Sequence, residues 1–191
     1  MKKKLNSWLQ QWRQMMLLQA KINYDIAKLA PVVSTKSFQS HMKIYTQHES
    51  NYVNANEDIP FNKAGSFLHQ LYFENIREVR QNNLPMGKCA DIIQMRYGSW
   101  QNFVKTYLET VQKLQGSGWV FMNTSGYLNI IPNNRIVDHV AFVVDFFEHA
   151  YYLDYGSDRI KYAEDHLSIM NWDVVNQRIL LSNEKKKEKR L

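Results

Sequence analysis

Hydrophobic periodicity changes once along this 191-residue chain, at Gly116-Ser117-Gly118, and that change limits the folds open to it. Before this point apolar residues recur at steps of three and four, the spacing of one helix face. After it come two short apolar runs, residues 119–122 and 127–131, joined by Asn123-Thr124-Ser125-Gly126, which read as a β-hairpin. Residues 137–144 are almost continuously apolar, as a strand covered on both faces would be. Helical spacing returns over residues 159–170 and 173–181. The expected class is α+β: a helical first half, then a small three-stranded antiparallel sheet with helices.

Within the first half, Pro31 ends an opening helical region. Phe38, His41, Tyr45, His48 and Tyr52 then recur on one face of a helix over residues 36–56. Residues 54–60 form a polar break, and a further helix is expected over 65–80 with Leu68, Leu71, Tyr72 and Ile76 inward. Residues 81–87, Gln-Asn-Asn-Leu-Pro-Met-Gly, are rich in breakers and read as a linker. Ser99 is placed to cap another helix carrying Trp100, Phe103, Tyr107, Val111 and Leu114. The organisation expected is a basic extension (1–24), a helical hairpin (25–83), a C-terminal α/β region (84–183) and a basic tail (184–191).

Apolar content of 45% excludes a disordered class, and no apolar run is long enough to span a bilayer. A single cysteine, Cys89, excludes an internal disulfide, fits a reducing compartment and reads as a packing residue. The net charge of +6 is concentrated at the ends. Residues 1–24 carry Lys2, Lys3, Lys4, Arg13 and Lys21 without an acid. Residues 184–191 carry Lys185, Lys186, Lys187, Lys189 and Arg190 against two glutamates, which leaves the body between at −2. Basic arms on a near-neutral body suit a phosphate-rich partner, because lysines there gain affinity by releasing counterions. The acid-free start, with Leu5, Trp8, Leu9, Trp12, Met15, Met16 and Leu18, reads as a docking helix or a mitochondrial import sequence.

The densest motif is Asp145-Phe-Phe147-Glu148-His149-Ala-Tyr-Tyr152-Leu153, followed by Arg159, Tyr162 and Asn171-Trp172. A turn of helix could hold Asp145 and His149 on one side. This stretch resembles the C-terminal third of the iron and manganese superoxide dismutases, and the alternation of helices and sheet fits the same fold. The resemblance implies one metal held by three histidines and an aspartate, a mixture suited to a redox-active first-row ion. It puts Asp145 and His149 at two ligand positions. Through the segment Asn62–Ile76 it puts His69 at a third.

For the first ligand, the family spacing runs from ligand to gateway histidine to gateway tyrosine in steps of four. Aligning His48 and Tyr52 with the gateway pair puts Ile44 at the ligand position, and an isoleucine has no electron pair to donate. His41 lies about 5 Å away along the helix axis, farther than metal bonds tolerate, and is set aside as a substitute. The outer residues also look depleted: Trp119 remains, Phe73, Phe121 and Phe147 replace tryptophans, and the family's solvent-binding glutamine finds no counterpart. Glu148, Tyr152 and His48, which the family uses across its dimer interface, are all present.

The expectation is therefore a non-catalytic protein with a vestigial, metal-free site at His69, Asp145 and His149. On the resemblance to dismutase-like ribosomal proteins it would sit in the mitochondrial ribosome's small subunit, paired with a dismutase-like chain, its basic ends touching ribosomal RNA or neighbouring proteins. The alternatives are an active iron or manganese superoxide dismutase and a scaffold in another mitochondrial complex.

Overall fold

The computed structural model describes residues 20–56 and 58–188. After a 3-10 turn at Ile26–Leu29 come helices α1 (Thr35–Val53), α2 (Ile59–Glu74), α3 (Gly87–Tyr97) and α4 (Trp100–Lys113). Strands β1 (Gly118–Asn123), β2 (Leu128–Pro132) and β3 (Val140–Asp145) follow, then α5 (Glu148–Tyr155), α6 (Arg159–His166) and α7 (Trp172–Glu188). This is the α+β arrangement expected from the periodicity.

Helices α1, α2 and α4 start where a short polar side chain replaces a missing backbone partner. Ser34 accepts from the Ser37 amide, Asp58 from Phe61 and Ser99 from Asn102, all at 3.0–3.1 Å. Helix α2 starts and ends about one and a half turns earlier than expected. In the sequence Pro60 reads as part of a polar break, yet a proline in the first helical turn costs no hydrogen bond. At the other end Asn75 caps the helix, and Ile76 leaves it to pair with Met170. Helix α3 was not anticipated. It buries Cys89, Ile92 and Ile93, and burial pushes the Cys89 thiol up to about 12, which suits a packing residue.

The sheet order is β2-β1-β3, antiparallel throughout, with Trp119 opposite both Ile131 and Asp145. Every residue of β3 is buried, because one face meets the N-terminal helices and the other the C-terminal helices. The breaker-rich stretch before α3 is stitched down rather than loose. Asn83 donates to the carbonyls of Leu167 and Met170, and its own carbonyl accepts from the Trp172 indole.

The hairpin turn packs under α3 at Gly126, whose φ is +87°. A Cβ there would lie 2.2 Å from Ile92 Cγ2. Gly126→Ala combines a left-handed backbone with overpacking and is expected to cost about 2–4 kcal/mol in denaturant unfolding. Among the described residues no helix is long and apolar enough to cross a membrane. Lys2, Lys3, Lys4, Arg13, Lys189 and Arg190 lie outside the described residues, and so do the side chains of Lys185, Lys186 and Lys187.

Candidate metal centre

Four elements converge on one point. His41 comes from the inner face of α1 and His69 from α2. Asp145 is the last residue of β3, and His149 lies in the first turn of α5. Asp145 and His149 thus share a side across a strand-to-helix corner rather than along one helix. The Asp145 carboxylate makes that corner, since its Oδ1 accepts from the Phe147 amide at 2.8 Å.

One donor atom from each of His41, His69, Asp145 and His149 lies within 4.8 Å of all the others. Asp145 Oδ2 faces Nε2 of His41 at 3.1 Å, of His149 at 3.2 Å and of His69 at 3.6 Å. Histidines merely hydrogen-bonded to an aspartate would each present an N–H, and His69 does not. Its Nδ1 lies 2.7 Å from the Gly65 carbonyl, which can only accept, so Nδ1 carries the proton. That leaves the Nε2 lone pair turned toward the carboxylate, buried and, among the described residues, without a hydrogen-bond partner. A cation at the centre would satisfy this lone pair, the other imidazoles and the carboxylate together, and the Gly65 bond is the kind of outer contact that orients a ligand histidine.

The electrostatics agree. Burial pushes the imidazoles of His41 and His69 down, His69 strongly, so both are neutral and able to bind a metal. Burial alone would raise the Asp145 carboxyl, but His149 and His41 beside it hold it below the usual carboxylate range. The centre therefore brings a carboxylate together with the neutral imidazoles of His41 and His69 and the ring of His149, in a site closed to water on most sides.

Aromatic rings fix the ligands. Trp119 meets His69 edge-on at 5.0 Å, Tyr45 stacks over His69 at 6.0 Å, and Phe147 stacks on His149 at 5.4 Å. Phe73 lies 5.0 Å from His41, so two of the phenylalanines standing for tryptophans still line the ligands. Outside them His48 lies 5.3 Å from His69 and donates from Nδ1 to Asn62 Oδ1 at 3.0 Å. Tyr52 is farther out, its ring 6.0 Å from the Lys63 ammonium.

The missing-ligand expectation is overturned. His41 supplies the first imidazole, and Ile44 is not part of the donor group. The reason lies in which residues were held in register. The interval to His48 is seven residues, about 10 Å of helix rise rather than about 6 Å, so the extra turn falls between ligand and outer residues and does not displace the ligand. Tyr45 fills that turn over His69.

Asn134 was missed as well. It follows β2, is buried, and accepts from the Trp119 indole at 2.9 Å. A Cβ on Gly65 would lie 2.8 Å from its amide nitrogen and 2.7 Å from the His48 ring, so the small residue lets both approach. A search for glutamine alone passes over this asparagine.

The superoxide dismutase [Fe] of Bacteroides fragilis is 32% identical to this chain over 83% of it and 97% of its own length. The superoxide dismutase [Fe] of Sulfolobus acidocaldarius is 31% identical over 82% of this chain and 90% of its own. The chain belongs to the iron/manganese superoxide dismutase family. Residues 85–178 match the family's C-terminal domain, and the mitochondrial superoxide dismutase [Mn] of Aspergillus niger is 26% identical over 84% of this chain. With the family's four ligands assembled, the expectation of a non-catalytic, metal-free ribosomal constituent is corrected.

Proposed function

We propose that this chain is a superoxide dismutase using iron or manganese. The observation that carries the reading is the group of His41, His69, Asp145 and His149, with donor atoms within 4.8 Å of one another and a buried lone pair on His69 aimed at their centre, where a cation would satisfy it. When bound there, such an ion would supply a reversible one-electron change, so that one superoxide is oxidised to oxygen and a second, with two protons, is reduced to hydrogen peroxide. The chain's residues do the rest. His69 is held as one tautomer by Gly65, Asp145 offsets part of the ion's charge, and Trp119, Phe73 and Phe147 keep bulk water off the ligands. Asn134, fixed by Trp119, and His48, fixed by Asn62, stand between the ligands and the outside, where groups must position the protons that peroxide requires. Tyr52 lies beyond them on the same face of α1.

Glu148 and Tyr152 are exposed beside the site, with Leu153 next to them, and Glu148 accepts from Ser117. An exposed Tyr152-Leu153 pair flanking a carboxylate supports docking of a second copy on this face, in line with the family resemblance. A mitochondrial location rests on the composition of residues 1–24 alone.

The test is reconstitution of the full chain with ferrous or manganous ion without oxygen, followed by metal analysis and stopped-flow observation of superoxide. One ion per chain and a rate well above spontaneous dismutation are expected. A chain that binds either ion stoichiometrically and leaves superoxide decay unchanged overturns the proposal.

A further inference from the structure

Next to His41, helices α2, α4 and α6 bring together Tyr72, Tyr107, Tyr162 and His166, all fully buried. The hydroxyls of Tyr72 and Tyr162 are 3.3 Å apart. The His166 ring packs on both, its centroid 5.6 Å from Tyr72 and 5.4 Å from Tyr162. Burial pushes the Tyr107 and Tyr162 hydroxyls up, and Tyr72 pushes both further in the same direction.

Among the described residues, three polar atoms here meet no protein partner: both ring nitrogens of His166 and the Tyr107 hydroxyl. A neutral imidazole has one N–H to donate and one lone pair to fill, and leaving both unmet away from water is costly. Protonation would not relieve this, because burial pushes the His166 imidazole down to about 3. An apolar side chain at 166 would carry no such cost. Protein interiors meet clustered needs of this kind with ordered water, which takes two to four polar partners.

We infer that these four rings form a binding site for internal water, in which water joins His166 to the Tyr107 hydroxyl. A molecule there also lies within reach of the Tyr72–Tyr162 pair. Such a bridge would tie α6 to α4 and α2 and hold Tyr72 against His41, whose ring centroids are 4.9 Å apart. The inference is independent of the metal, since none of the four side chains belongs to the ligand set.

Two measurements on the full chain test it. In the unaltered protein labelled with nitrogen-15, the His166 imidazole N–H is expected to exchange slowly and show a nuclear Overhauser contact to a long-lived water. In a double-mutant cycle, Tyr107→Phe is expected to shift the unfolding equilibrium at least about tenfold when His166 is present, and less than about threefold in His166→Leu. Absence of the water contact, or equal effects of Tyr107→Phe in both backgrounds, overturns the inference. The first measurement needs no variant to fold.

Discussion

His41→Ala is expected to lower both metal occupancy at fixed metal concentration and superoxide consumption by about 100-fold or more. Loss of an outer partner of a metal ligand already costs about 10–100-fold in affinity or activity, and His41 is a ligand. Ile44→Ala, on the same helix three residues on, is expected to leave both within about twofold, because its half-buried side chain stands outside the donor group. The pair separates the two alignments of α1. If the site were built around position 44 and left without a donor there, neither substitution would change metal binding. Inductively coupled plasma analysis after gel filtration gives occupancy, and stopped-flow absorbance gives the rate.

A large stability effect is expected from acid through His166. Burial pushes its imidazole down to about 3 in the folded chain, whereas an unfolded histidine titrates near about 6.5. Between those values the unfolded chain takes up a proton that the folded chain refuses, so stability falls as pH falls. This contribution is whole above about pH 6.5 and is lost progressively toward about pH 3, where the total reaches about 4 kcal/mol. At pH 4 the loss is about 3 kcal/mol, and His166→Leu removes that part of the slope. The buried ligands His41 and His69 add to acid lability in the same direction, but they are common to both proteins and cancel in the difference. Urea unfolding at pH 7 and pH 4 on both proteins checks this. Identical pH dependence in the two would contradict it.

The sequence carried the fold well and the site in part, for physical reasons. A change from helical to alternating spacing survives any packing detail, so the hairpin of β1 and β2 and the buried β3 are legible in the sequence. Helix α3 was not, because its short apolar set of Cys89, Ile92 and Ile93 follows a breaker-rich stretch that dominates the local signal. Three ligands were legible because His69, Asp145 and His149 sit in dense motifs. His41 was visible on the right face and was discarded on a spacing rule. The spacing that binding fixes is the one between donors on different elements, and a single helix does not reveal it. Asn134 was illegible for a similar reason: its role depends on Trp119 and Gly65, which only the folded sheet and α2 bring to it.

A crystal of the full chain loaded with manganese or iron, measured across that metal's absorption edge, tests the assembled centre most directly. One anomalous peak is expected within bonding distance of Nε2 of His41, His69 and His149 and of Oδ2 of Asp145. A bound ion coordinated by His69, Asp145 and His149 with His41 turned away would contradict it.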